Sequence, residues 1–246
     1  MWGHLSVARR IAFPGSRMPE RTASPSPVQL TNRDVEILRW LARFRGVTAP
    51  QIGRRFDMGY SRVSRRLNQL GAGGLVALAR VLHRKPGLYT VTGEGQTAAG
   101  ADLPVATVTV GTYEHDVAVA DVAIAAELAG GKVLTQRQMQ ALEVGVGASD
   151  LIYAVALAAG ERHFPDLVLE RSDGRWALEV EVTDARSELL EPILSAYAGA
   201  EHMAGVIYTV APAVHADRIQ RAAAALELGP KFELRVLEPP PTDTAP

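Results

Sequence analysis

The stretch from Thr48 to Leu70, TAPQIGRRFDMGYSRVSRRLNQL, constrains the fold of this chain more than any other. Its apolar residues recur at helical spacing on both sides of Asp57-Met58-Gly59, a sequence typical of a turn. Thr48 suits an N-cap, and Pro50 suits the first turn of the helix that follows it. We therefore expect two short helices that meet at a tight turn, where Gly59 is able to adopt a positive φ.

The second of these helices has two contrasting faces. Tyr60, Val63, Leu67 and Leu70 lie on one stripe, which predicts that they are buried. The opposite face has no carboxylate, whereas an ordinary solvated helix mixes charges of both signs. It presents the side-chain types that bond base edges and phosphates, so this helix is expected to read DNA in the major groove. The predicted DNA-binding residues of the helix are Ser61, Arg62, Arg65, Asn68 and Gln69, with Ser64 and Arg66 on the flanks.

A helix is predicted before this pair and a β-hairpin after it. Thr31 suits the N-cap of the first helix, and Gly46 suits its end. Runs of β-forming residues at 75–82 and 88–91 flank a Pro-Gly turn, and a short helix capped by Thr92 follows through about Ala99. This order predicts a winged helix-turn-helix over residues 28–101, although a helical protein-interaction module has the same pattern. The arginines and lysine expected to hold phosphates are Arg54 and Arg55, with Arg84 and Lys85 at the wing tip.

Charge is distributed unevenly along the chain. Residues 28–101 contain 12 Lys and Arg against 4 Asp and Glu, a net +8, and residues 102–246 contain 10 against 22, a net −12. Residues 1–27 add a net +3, which brings the whole chain to −1. Because cations that displace condensed counterions supply nonspecific affinity for DNA, the first part is expected to bind double-stranded DNA and the second is not.

Composition excludes several classes of site. The chain has no cysteine, which excludes disulfide scaffolds and thiolate metal sites. No apolar run is long enough for a membrane span, and residues 1–27 lack the apolar core of a signal peptide, so we expect a cytoplasmic protein with no membrane partner. Residues 1–27 are predicted to be disordered, with Met18 as an alternative start, and the Pro-rich residues 239–246 are predicted to be loose.

The rest of the chain alternates between helical and strand patterns. Residues 102–112 are expected to be a linker or a connecting strand, and a long Ala/Val-rich helix follows from Tyr113 to Gly130-Gly131. Its apolar positions, Leu128 among them, wrap around much of the helix, which predicts burial between layers. The remaining pattern predicts a mixed α/β domain over residues 113–238, with parallel pairing at its end. Strands are expected at 165–170, 176–182, 205–210 and 232–237, helices at 185–203 and 213–226, and a strand leading into a polar helix at 132–142.

Two acidic motifs lie in this domain: Pro165-Asp166 and, after twelve residues, Glu179-Val180-Glu181. With these motifs the domain resembles the PD-(D/E)xK, or restriction-endonuclease-like, fold. The resemblance implies that Asp166 and Glu179 hold a divalent cation such as Mg²⁺ for phosphodiester cleavage, with Glu114 as a further acid. Glu181 stands where that family has its lysine. The alternation of WALEVEV also fits an ordinary half-exposed strand, and the negative charge opposes DNA cleavage. We therefore expect an inactive nuclease-like core, with no cofactor and no catalytic residue favoured.

Four segments together resemble the replication-relaxation family of actinobacterial plasmids, phages and mobile elements. They are LTNRDVEILRWLARFRGVTAPQIGRRF, LYTVTGEG, HDVAVADVAIAAELAGG and PDLVLERSDGRWALEVEV. The resemblance implies a protein that acts on mobile-element DNA. We expect a sequence-specific DNA-binding repressor or other transcriptional regulator that acts by occlusion, whose acidic domain forms a homodimer or recruits a protein partner. The alternatives are a metal-dependent nuclease or nickase that uses Asp166, Glu179 and Glu181, and an accessory protein of plasmid replication initiation.

Overall fold

The computed structural model describes residues 28–147, 150–183, 188–211 and 216–237. The predictions for residues 1–27, Met18 and residues 239–246 lie outside this described part. The first seven elements are α1 (Asn32–Ala42), β1 (Val47–Thr48), α2 (Ala49–Phe56), α3 (Tyr60–Ala72), β2 (Val76–Ala79), β3 (Leu88–Val91) and α4 (Gly93–Ala99). The others are α5 (Tyr113–Leu128), β4 (Lys132–Thr135), α6 (Gln136–Leu142), β5 (Val155–Ala156), β6 (Arg162–His163), β7 (Leu167–Arg171), β8 (Gly174–Glu181), α7 (Leu190–Gly199), β9 (Gly205–Val210), α8 (Ala216–Ala225) and β10 (Phe232–Val236).

The first seven elements form the predicted winged helix. Thr31 and Thr48 begin α1 and α2 with capping boxes, in which the threonine side chain accepts from the backbone of the third helical residue. Strand β3 pairs antiparallel with β2 to make the wing and with β1 on its other side. A Cβ at Gly53 would lie 2.8 Å from the Met58 carbonyl oxygen, so only glycine lets the turn after α2 pack so closely.

Several local predictions for this region were wrong. Helix α1 ends at Ala42, with Arg43 as its C-cap, and not at Gly46. In the turn, Asp57 has the positive φ of 50°, whereas Gly59 has a φ of −63°. The first wing strand stops at Ala79 and not at Leu82, because its pairing with β3 ends there. Tyr60 is 61% exposed although it shares a spacing with buried residues, because it begins α3 beyond the reach of the core.

The later elements build a five-stranded sheet in the order β10-β9-β8-β7-β4. Strands β4, β7 and β8 pair antiparallel, and β8, β9 and β10 pair parallel, as expected for the end of the chain. Leu178 and Ile207 pack in the core that contains α5, whereas the neighbouring Ala177 and Val206 pack with α7 and α8. Since successive residues of a strand point to opposite faces, helices cover both faces of the sheet.

This coverage corrects the interpretation of β8 as a half-exposed strand. Every residue from Trp176 to Val180 is buried, and Glu179 is only 6% exposed. Helix α7, at Leu190–Gly199, is shorter than the predicted 185–203, and α8 ends at Ala225, one residue before the predicted end. Residues 184–187 and 212–215, which include the predicted starts of both helices, lie outside the described part. Residues 102–109 form neither a helix nor a strand, so the segment is a linker and not a connecting strand. It ends in a 3₁₀ turn at Val110–Thr112.

Helix α5 lies between the winged helix and the sheet, and it contacts both α2 and β8. The buried Ala120, Ala123 and Ile124 of this helix belong to the same hydrophobic cluster as Ile52 of α2 and Leu178 of β8. Burial between layers is thus confirmed for this side of the helix. Leu128 is an exception, because it lies at the last residue of α5 and is 61% exposed.

Candidate nucleic-acid interface

The outer face of α3 is open to solvent. Val63, Leu67 and Leu70 anchor the helix in the core, and Ser61, Arg62, Arg65, Asn68 and Gln69 are exposed on the other side. The helix contains no aspartate or glutamate. Arg62 and Arg65 form no ion pair with any residue that the structure describes. This face therefore offers two uncompensated guanidinium groups among neutral hydrogen-bonding side chains, the chemistry that a major groove requires.

A shallow depression runs along this face of α3. It is lined by Tyr60, Ser61, Ser64, Arg65, Asn68, Gln69 and Ala72. Thirteen residues at a rise of about 1.5 Å each give the helix a length of about 20 Å, which corresponds to roughly six base-pair steps of DNA. The depression thus combines three hydroxyl groups, two amides and one guanidinium along one face of the helix.

Arg66, which was predicted to lie on the flank of the DNA-binding face, is engaged with α1. Its Nε and Nη2 atoms donate to the carboxylate of Asp34 in α1 at 2.6 and 2.5 Å, and Nη2 also donates to the Gln29 carbonyl oxygen. Burial acts to raise the pKa of Asp34, but hydrogen bonds from Arg66 and Thr31 outweigh it and lower that pKa. Arg66 therefore fixes α3 against α1. Gln69 accepts from Arg66 at 2.8 Å through its side-chain oxygen, which leaves its amide nitrogen available as a donor.

Arg54 and Arg55, which were predicted to hold phosphates, are both paired with acids of α5. Arg54 donates to Asp121 of α5, and Arg55 donates to Glu127 of the same helix at 2.5 Å. Both arginines are only partly exposed, and both acids are largely buried. The guanidinium groups therefore join the helix-turn-helix to α5.

Glu127 is the centre of this junction. It accepts hydrogen bonds from Trp40 Nε1 at 3.0 Å, from Arg43 at 2.5 Å and from Arg55. Burial acts to raise its pKa, but the charge of Arg43 and the hydrogen bonds outweigh this and lower the pKa. Arg43 also donates to the Val133 carbonyl oxygen and to Gln138. The sequence pattern gave no sign of this cluster, because Glu127 stands alone near the end of an Ala/Val-rich helix.

The wing tip also touches α5. Lys85 Nζ lies 3.1 Å from Glu114, and the Tyr113 hydroxyl donates to the Pro86 carbonyl oxygen at 2.8 Å. Lys85 and Glu114 are both about half exposed, so phosphate can compete for this lysine. Arg84 is exposed with a φ of 64° and has no ion-pair partner among the described residues. Glu114, considered above as a possible nuclease acid, faces the wing and not the other carboxylates.

The two central carboxylates of the nuclease interpretation are engaged by histidines. Asp166 Oδ2 accepts from the Val180 amide at 2.9 Å and lies 3.1 Å from His115 Nε2. Glu179 Oε1 lies 2.7 Å from His163 Nε2 and accepts from the Tyr197 hydroxyl at 2.5 Å. Burial, followed by the charge of Glu179, raises the pKa of Tyr197 well above 10.0, so this hydroxyl stays a donor.

No group of three or more His, Asp and Glu side chains suited to a metal ion occurs in the described part of the chain. Glu181 lies at the end of β8, half-buried, and takes part in a contact of its own. The Asp166–Glu179 pair thus resembles the nuclease pattern in sequence. The structure places a histidine beside each acid.

Comparisons with known proteins concern the first part of the chain. Residues 28–85, from the start of the winged helix through the wing tip, match the model of the MarR family. No curated protein and no solved structure matches the chain. The resemblances to the replication-relaxation family and to the nuclease-like fold stay interpretations of the sequence. Within the described residues, no helix has the length and apolar character needed to cross a membrane.

Proposed function

We propose that the MarR-family winged helix at residues 28–85 makes this chain a sequence-specific double-stranded DNA-binding regulator of transcription. It binds with α3 in the major groove and with the wing tip against the sugar-phosphate backbone. Arg62, Arg65 and Asn68 read base edges, and Arg84 and Lys85 contact phosphates. Binding blocks access of other proteins to the site, so the protein acts as a repressor.

The open face of α3 is the single observation that carries this proposal. This face exposes arginine, amide and hydroxyl groups without a carboxylate, and these are the side-chain types that bond base edges and phosphates. The ion pairs of Arg54 and Arg55 with α5 also bear on the proposal. These pairs neutralise Asp121 and Glu127 inside the molecule. The two acids therefore contribute less to the repulsion between the second part of the chain and DNA.

The second part of the chain is proposed to hold two winged helices at a fixed separation. Members of the MarR family commonly act as dimers, and a rigid attachment of α2 to α5 sets the orientation of α3. A homodimer formed through the acidic part recognises two half-sites about one helical turn apart. Phage or mobile-element DNA is the proposed context, on the strength of the sequence resemblance.

Genome-wide mapping of bound DNA tests this function. The wild type is expected to select one sequence motif located in promoters, and Arg65→Ala is expected to lose it. Binding confined to a plasmid origin supports the replication-accessory alternative instead. Uniform binding without any motif contradicts sequence-specific regulation.

A further inference from the structure

Tyr60, the first residue of α3, exposes 61% of its surface although its spacing to Val63 and Leu67 predicted burial. Those two residues are almost completely buried. An aromatic ring left in water forgoes the burial free energy that its neighbours gain. The phenol has no hydrogen-bond partner among the described side chains. Tyr60 thus contributes little to the core, and its position calls for another explanation.

The ring stands at one end of the depression on α3. Ser61, Ser64 and Arg65 lie beside it on the same face, and no carboxylate is present in the helix. Tyr60 also lies on the side of the wing, near Tyr89 of β3. Burial raises the pKa of Tyr89, and the electrostatic interaction with the nearby Tyr60 raises it further. The exposed ring therefore belongs to the surface between the base-reading helix and the wing.

The spacing from Arg65 indicates where along the DNA the ring lies, and its apolar face indicates which base it contacts. Five residues at about 1.5 Å each separate Tyr60 from Arg65 by roughly 7.5 Å along the helix, or about two base-pair steps. Arginine on the major-groove side most often pairs with guanine, and the apolar group that a base offers there is the C5 methyl of thymine. A phenol ring has a broad apolar face suited to this methyl group.

We propose that Tyr60 is a specificity-determining residue that packs against the C5 methyl group of a thymine, about two base pairs from a guanine read by Arg65. The inference rests on the proposed function and deepens it, because it names part of the DNA sequence that the helix selects. The discrimination lies in one methyl group. Removal of this group alone from the DNA therefore removes the contact without any change in base pairing.

The test uses the full chain and the duplex selected by sequencing of bound random DNA. Each thymine of the selected site is replaced in turn by deoxyuridine, which lacks only the methyl group, and affinities are measured for wild type, Tyr60→Ala and Tyr60→Phe. One replacement is expected to weaken wild-type binding roughly fourfold, the effect of one buried methyl group. Tyr60→Ala is expected to bind both duplexes alike, and Tyr60→Phe is expected to behave as wild type.

Two failures are distinguishable. In the first, a site is selected and Arg65→Ala lowers the affinity for it, but each deoxyuridine replacement changes the affinity of Tyr60→Ala as much as that of the wild type. The thymine contact is then overturned, and the proposed function stands. If no site is selected, the proposed function fails and the contact fails with it. Thermal melting of each variant, expected to match the wild type because the ring is exposed, verifies that the proteins compared are folded.

Discussion

Arg55 of α2 and Glu127 of α5 form an ion pair, with 2.5 Å between Nε and Oε2, across the junction of the winged helix and the α/β part. Arg43 and Trp40 of α1 donate to the same carboxylate. Because both helices that support α3 are tied to one buried acid, the orientation of the exposed face of α3 depends on the second part of the chain. The two parts are structurally coupled, although the charge pattern separates them clearly.

Glu127→Gln is expected to lower the free energy of unfolding by about 2 kcal/mol, because it removes the charge that compensates two partly buried arginines. Chemical denaturation at pH 7 measures the change. Glu36→Gln is the matched control, since Glu36 is exposed on α1 without an ion pair in the described residues, and it is expected to change stability by less than about 0.5 kcal/mol. Equal losses in the two variants would falsify the central role of Glu127.

Stability is expected to fall in acid partly through Asp34, whose pKa is lowered from its ordinary value of 3.8. Burial opposes this shift, but the hydrogen bonds of Arg66 and Thr31 dominate. A lowered folded-state pKa contributes stability above the unfolded value and loses it as pH falls through the folded value. Denaturation at several pH values should therefore show the gap between wild type and Asp34→Asn narrowing below pH 3.8. A gap that is constant or wider in acid contradicts the predicted direction.

Arg65→Ala is expected to weaken binding to the selected site by about 1–3 kcal/mol, since a bidentate contact to guanine discriminates by that amount. Binding to random duplex is expected to change much less. Fluorescence titration with both duplexes measures the two effects, and Arg221→Ala on the exposed surface of α8 serves as a charge-matched control. A similar loss on both duplexes assigns Arg65 to phosphate contact and not to base reading.

Glu114→Gln is expected to strengthen DNA binding about two- to threefold at low salt, because Lys85 is then free for phosphate. The gain should disappear as salt is raised, since both side chains are largely solvated. Lys85→Ala is expected to weaken specific and random duplexes alike and to reduce the salt slope by about 1. Glu191→Gln, an exposed acid on α7, controls for the general loss of negative charge. An equal gain from this control removes any special role of the Lys85–Glu114 pair.

No cleavage is expected when the protein is incubated with supercoiled plasmid and Mg²⁺ or Mn²⁺. Asp166 and Glu179 are each paired with a histidine, and no suitable cluster of three metal ligands occurs among the described residues. Gel electrophoresis beside Asp166→Ala provides the measurement. Nicking by the wild type that is absent from this variant establishes the nuclease alternative.

Local patterns in the sequence were sufficient for most elements of the winged helix. The sequence identifies Thr31 and Thr48 as N-caps because a capping side chain acts within three residues. It identifies Val63, Leu67 and Leu70 as core residues because helical periodicity is a local property. The exposed, acid-free face of α3 follows from the same periodicity. These features need no knowledge of what the helix packs against.

Tertiary structure alone decided which charged groups are free. Arg54, Arg55 and Arg66 look like DNA ligands in sequence, yet each is paired with an acid 32 to 72 residues away. Tyr60 looks like a core residue, yet it lies beyond the core at the end of its helix. Periodicity fixes which way a side chain points, but its partner is set by packing between distant segments, which no local pattern contains.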